Sequence, residues 1–132
     1  MDKKGVLIFV DDDPIVLETL EIELEPSFGK EYRFETAMDA QEALDLIQDG
    51  GDKKLKVFLI VSDWLMPGMK GDEFLIEVYK RWPDIKCMML TGQANEDAVQ
   101  NAKENSRMVM CLRKPWMRDE LIAAVERALK SR

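Results

Sequence analysis

Histidine is absent from all 132 residues, which removes Ser-His-Asp and Cys-His nucleophilic catalysis and any His-ligated zinc site. Cysteine is scarce: Cys87 and Cys111 fall in separate apolar runs without CxxC spacing. That is the pattern of buried reduced thiols rather than of a disulfide or a metal site. No apolar run approaches the roughly 18 residues a membrane helix needs, so no membrane contact is expected. Met1-Asp2-Lys3-Lys4 leads straight into a short strand-like run, without the longer apolar segment and cleavage site of a secretory signal. The cytoplasm is the expected compartment. Positive charge is in deficit: 19 basic against 26 acidic residues give a net charge of −7, which disfavours direct binding to a nucleic-acid backbone. No Gly-rich phosphate loop follows the first strand-like run, which argues against a nucleotide or flavin domain.

What is present suffices for a folded domain. With 46% apolar and 34% charged residues the composition is globular, and this length buries roughly 65–70% of the unfolded surface. No repeat or low-complexity linker divides the chain, so residues 1–132 are expected to form a single domain, with no output domain among them.

Strand-like and helix-like periods alternate five times. Val6–Val10 is a continuous apolar run, as in a central parallel strand buried on both faces. Asp13-Pro14 then suits an N-cap and first helical position, with Val16, Leu17, Leu20 and Leu24 as the buried stripe and Glu18, Glu21, Glu23 and Glu25 facing out. Tyr32–Ala37 alternates as a partly exposed strand, and Asp39-Ala40-Gln41-Glu42 has capping-box spacing for a helix through about Gln48, ended by Gly50-Gly51. Val57–Ser62 is a second buried strand. The turn residues Met66-Pro67-Gly68 follow, then a helix with Phe74, Leu75, Val78 and Trp82 on one face, stopped by Pro83. Ile85–Leu90 and Met108–Leu112 are the fourth and fifth strands. Between them Asn95–Asn105 has only Ala98, Val99 and Ala102 to bury, which makes it the helix least anchored by packing. Leu121, Val125, Ala128 and Leu129 line the last helix. Met88, Met89, Met108 and Met110 are expected as core filler on adjacent buried strands.

Two of these strands run into carboxylates: Val6–Val10 into Asp11, Asp12 and Asp13, and Val57–Ser62 into Asp63. In an open parallel sheet ligands bind where strands end, so both clusters are expected in one crevice. Like charges packed there repel unless a cation sits among them. Hard oxygen ligands suit Mg2+, which favours one or two carboxylates plus a phosphate. Lys114 ends a third run and supplies a fixed cation. Asp13 is better explained as the helix cap than as a ligand. Together these residues point to a phosphoryl-handling site built from aspartates.

Four segments, Val10-Asp11-Asp12-Asp13-Pro14, Asp63-Trp64-Leu65-Met66-Pro67-Gly68-Met69-Lys70-Gly71, Thr91-Gly92 and Lys114-Pro115-Trp116, together resemble the CheY-like receiver domains of two-component response regulators. The similarity runs from Val6 to about Leu129. It implies a doubly wound α/β fold of the flavodoxin-like (βα)5 type, a five-stranded parallel sheet in order 2-1-3-4-5 with helices on both faces. The resemblance makes Asp63 the phosphoacceptor and Asp11 and Asp12 the acidic pair that holds Mg2+, with Asp12 as direct ligand. The third protein oxygen on the metal would be the backbone carbonyl of Leu65, and Thr91 and Lys114 would contact the phosphoryl group. The implied donor is a phosphohistidine on a sensor histidine kinase or histidine phosphotransfer protein, docking near Glu18, Glu21 and the loop at Trp116. The implied recipient of the signal is an effector protein or a fused output domain. Such a domain is not an enzyme toward other substrates and catalyses only its own phosphorylation and dephosphorylation.

Elementary chemistry agrees with those roles, because a carboxylate attacks phosphorus once its repulsion with the incoming anion is neutralised. A threonine hydroxyl at the next strand end can then donate to the new phosphoryl oxygens, biasing the weakly packed Asn95–Asn105 helix as output surface. Some residues depart from the family pattern. Cys111 stands three positions before the lysine, where many receivers carry a switch aromatic, and this motivates an alternative: a receiver-like adaptor that binds partners without phosphorylation. Glu104-Asn105-Ser106-Arg107-Met108 replaces the stretch typical of receivers that dimerise through their last two helices. Trp116 resembles receivers attached to signalling enzymes, and Pro115 is expected to be cis. Trp64 and Met66 would either gate the crevice or pack against the first strand. Asp11 and Asp13 meet the spacing of an aspartate-based phosphatase only superficially.

Overall fold

The computed structural model of the chain describes residues 3–49, 55–92 and 96–131. Its elements are β1 (Gly5–Val10), α1 (Pro14–Phe28), β2 (Tyr32–Ala37), α2 (Ala40–Asp49), β3 (Val57–Asp63), α3 (Gly71–Arg81), β4 (Lys86–Thr91), α4 (Glu96–Asn105), β5 (Met108–Arg113) and α5 (Arg118–Lys130). The five strands are all parallel and ordered β2-β1-β3-β4-β5. This is the doubly wound arrangement, and the winding direction reverses between β1 and β3.

The period-2 geometry of each central strand divides its side chains between two cores. Val6, Ile8 and Val10 join Ile60, Cys87 and Met89 beneath α2, α3 and α4. Leu7 and Phe9 join Leu59, Val61, Met88 and Leu90 beneath α1 and α5. β1 is buried along its whole length, as its uninterrupted apolar run demands.

Helix ends follow local chemistry. Asp13 Oδ1 accepts from the Ile15 N–H at 2.9 Å with Pro14 in the first turn. The first helix runs past Pro26 to Phe28, beyond the Leu24 end of the expected stripe. Phe28 is buried with Leu24 in the α1/α5 core, and the carbonyl that Pro26 leaves without its usual donor belongs to Ile22 on the exposed face. At α2 half of the capping box forms as expected, with the Glu42 N–H donating to Asp39 Oδ1 at 2.8 Å. The Glu42 carboxylate reaches one residue further back, to the Met38 N–H at 2.8 Å. Gly50, Gly51 and Asn95, expected at helix ends, lie outside the described residues.

α4 buries only Ala98 and Ala102, and Val99 is half-buried against the same core. The expected methionine filler divides. Met88 and Met89 are fully enclosed, whereas Met108 and Met110 are half-exposed, as is Cys111, because β5 is an edge strand with one neighbour. Both cysteines are free thiols. Burial pushes the Cys87 thiol up to about 12. Among the described residues no helix is long and apolar enough to cross a membrane.

Candidate functional site

The strand ladders continue one residue past the strands and carry the candidate residues with them. The Asp11 N–H donates to Ala37 O at 3.1 Å, the Trp64 N–H to Leu90 O at 2.9 Å, and the Lys114 N–H to Thr91 O at 2.8 Å. Residues from four strand ends are thus fixed by backbone bonds rather than by loop conformation.

Asp11, Asp12, Asp63, Leu65 and Lys114 line one cleft of about 680 Å3, with Trp64 and Met66 in its wall. Asp11 and Asp63 are buried, Asp12 and Leu65 are exposed, and Thr91 is buried at the end of β4. Lys114 Nζ lies 3.0 Å from Asp63 Oδ1 and 3.4 Å from Asp11 Oδ2. The Lys114–Pro115 peptide is cis. The Asp13 N–H donates to Asp11 Oδ1 at 2.9 Å, so Asp13 serves its neighbour through its backbone and its own helix through its side chain.

Three carboxylates face one ammonium. Burial pushes the Asp11 carboxyl above its ordinary value of 3.8, and the charge of Asp63 adds to this against the Asp13 N–H and Lys114. Burial pulls on the Lys114 ammonium in the opposite sense, but the hydrogen bond and charge of Asp63, with Asp11 behind them, hold it above its ordinary 10.5. The excess negative charge calls for a further cation.

The residues fit one. Asp11, Asp12 and Asp63 each present a carboxylate oxygen, all within 4.8 Å of one another. Opposite oxygens of a Mg2+ octahedron stand about 4.2 Å apart. An all-oxygen donor set without histidine or thiolate matches a hard dication rather than zinc.

Trp64 and Met66 take different roles. Met66 is buried with Val10 in the α2/α3/α4 core. Trp64 is half-exposed and donates its indole N–H to Asp72 Oδ1 at 3.1 Å. Glu18 and Glu21 are exposed on α1, while Trp116 is half-buried and donates to Glu23 Oε1 at 2.9 Å, tying the loop after Lys114 to α1.

Sequence reasoning passed over two residues that support this site. A Cβ on Gly71 would stand 2.4 Å from Asp63 O and 2.7 Å from Trp64 Cα, so only glycine lets α3 begin this close to the acceptor strand. Its position closing the Asp63 segment was the available signal. Asp72 reads in sequence as an ordinary first-turn acid, yet it is buried between α3 and α4.

The response regulator receiver domain model matches residues 6–126. The hydrogenase transcriptional regulatory protein HoxA of Cupriavidus necator is 30% identical over 98% of this chain and 25% of its own length. The DNA-binding transcriptional regulator NtrC of Escherichia coli K12 is 32% identical over 96% of this chain and 25% of its own length. The chain therefore spans about a quarter of the length of these curated relatives. Among solved structures, the signal receiver domain of an HD domain-containing protein from Pseudomonas fluorescens Pf-5 superposes with a TM-score of 0.86 at 26% identity, covering 97% of this chain and 96% of that one.

Proposed function

The chain belongs to the response regulator receiver domain family, and from that premise we propose that it takes a phosphoryl group onto Asp63 from a phosphohistidine donor. The donor is a sensor histidine kinase or a histidine phosphotransfer protein, and the signal passes to an effector partner or a fused output region. The observation that carries this reading is the 3.0 Å contact of Lys114 Nζ with Asp63 Oδ1 in a cleft shared with Asp11 and Asp12.

An Asp63 carboxylate oxygen attacks phosphorus, and the P–N bond to the donor imidazole breaks. The imidazole leaves with the electron pair and takes up a proton, and Asp63 becomes an acyl phosphate. No general base is needed, because a carboxylate nucleophile has no proton to give up as it attacks. Lys114 lowers the repulsion between the carboxylate and the incoming anion and meets the charge that develops on the phosphoryl oxygens. Thr91 donates its hydroxyl to one of those oxygens. Asp11, Asp12 as direct ligand, Asp63 and the backbone carbonyl of Leu65 would hold Mg2+. When bound, the ion supplies positive charge against the clustered carboxylates and the phosphoryl oxygens. In the return step water attacks phosphorus, the P–O bond to Asp63 breaks, and the carboxylate and inorganic phosphate are released. A cytoplasmic location goes with this reading, since the free thiols of Cys87 and Cys111 suit a reducing compartment.

Intact-mass measurement after treatment with acetyl phosphate and Mg2+ tests the proposal. One phosphate should be added, and Asp63→Asn or prior EDTA treatment should abolish the gain. An unchanged mass in the wild-type chain would leave the phosphorylation-independent adaptor as the better reading.

A further inference from the structure

Asp72 is a buried carboxylate outside the phosphoacceptor cleft, and its two oxygens face opposite ways. Oδ1 accepts the indole N–H of Trp64 at 3.1 Å, and Oδ2 accepts the side-chain amide of Asn101 at 3.0 Å. Trp64 directly follows Asp63 and is one of the residues that line the cleft. Asn101 belongs to α4. A single carboxylate on the first turn of α3 therefore joins the wall of the cleft to the helix with the least apolar burial, whose enclosed side chains are Ala98 and Ala102.

Each bond is asymmetric in what it holds. The Trp64 backbone is pinned on both sides, its N–H to Leu90 O at 2.9 Å and its carbonyl by the Gly71 N–H at 2.8 Å, so the part of Trp64 left to move is the ring. At 3.1 Å the indole bond lies within the normal N–H···O range, and outward displacement of the ring weakens it. On α4 the Asn101 amide is a polar anchor to α3. The methyl groups of Ala98 and Ala102 resist sliding of the helix only weakly.

We propose that Asp72 is a positioning residue that couples occupancy of the Asp63 cleft to α4, through Trp64 on one side and Asn101 on the other. The proposal rests on the phosphoacceptor reading. A phosphoryl group on Asp63 crowds the Trp64 ring, the indole bond to Asp72 opens, and the carboxylate turns away from Asn101, freeing α4. This route needs no aromatic on β5, where Cys111 stands.

Amide hydrogen exchange across residues 96–105, with intact mass reporting the phosphate on Asp63, tests it. In the wild-type chain, phosphorylation should speed exchange of α4 by about tenfold, the ratio equivalent to about 1.4 kcal/mol. Asn101→Ala removes the α4 donor far from the cleft and keeps good helix propensity. Its unmodified form should already exchange at the raised rate, and phosphorylation, unchanged in extent, should add less than about twofold. Trp64→Phe should raise the unmodified α4 rate likewise, whereas Asn105→Ala should keep the wild-type response. The coupling is overturned if Asn101→Ala retains the full response, or if either Asn101→Ala or Trp64→Phe leaves the unmodified α4 rate at the wild-type value. Failure of wild-type Asp63 to gain phosphate overturns both this proposal and the reading beneath it. Phosphate gain with an intact α4 response in Asn101→Ala overturns the coupling alone.

Discussion

Lys114 Nζ reaches within 3.0 Å of Asp63 Oδ1 although the strands they close, β5 and β3, are not neighbours and β4 lies between them. The side chain spans the end of β4 over Gly92, where a Cβ would meet Lys114 Cδ at 3.9 Å. A long flexible amine is thereby held across the crevice at the acceptor oxygen.

Replacing that amine should cost chemistry more than folding. Lys114→Ala is expected to slow phosphorylation by acetyl phosphate by about a hundredfold, the scale for losing one preorganised charge. The folded-state value of Lys114 lies above its ordinary 10.5. Its stabilising contribution is therefore complete below 10.5 and is lost as pH rises through the folded value. Denaturation curves of wild type and Lys114→Ala should converge at strongly alkaline pH. Equal phosphorylation rates in the two proteins would remove Lys114 from the mechanism.

Asp11 behaves in the opposite sense. Its folded value is raised above 3.8 by burial first and by Asp63 as well, so the folded chain holds this proton more tightly than the unfolded one. Stability of the metal-free protein then falls as pH climbs from 3.8 through the raised value. At pH 7 Asp11→Asn should raise the thermal midpoint by roughly 2–5 °C in EDTA, while losing the stabilisation that Mg2+ gives the wild type. Calorimetry with and without Mg2+ decides this, and a variant that keeps the wild-type Mg2+ shift would exclude Asp11 as a ligand.

Gly71 and Gly68 separate space from conformation. An alanine Cβ at Gly71 meets backbone atoms at 2.4 and 2.7 Å, which cannot yield without moving Asp63. Gly71→Ala should cost about 1–3 kcal/mol in urea denaturation and slow phosphorylation. At Gly68 there is open space but φ is +79°. Gly68→Ala should therefore cost about 1 kcal/mol of backbone strain and leave phosphorylation near wild type. Equal effects of the two substitutions on the phosphorylation rate would refute the close approach as a site feature.

The carboxylates at the ends of β1 and β3, the Asp13 cap and the apolar runs of the central strands were legible because each depends on contiguous residues. A strand's period, a helix cap and a turn are local properties. Once strands are parallel, their ends must share an edge, which is why Asp11, Asp63 and Lys114 could be grouped before any distance was known. The half-exposure of Met108, Met110 and Cys111 was not legible, since the residues of an edge strand resemble those of a buried one and differ only in what lies beside them.

Asp72 marks the same boundary inside the site. Its sequence position announces a helix start, and nothing in its neighbours tells that Asn101, 29 residues away, closes over it. The amino-acid sequence alone settled the alternation of strands and helices and the chemistry carried at strand ends, because short-range sterics and hydrogen bonding decide these. Tertiary packing alone decided which acids lose their water, where glycine must be tolerated, and how α4 is tied to the cleft, because desolvation and contact depend on surfaces brought together from distant parts of the chain.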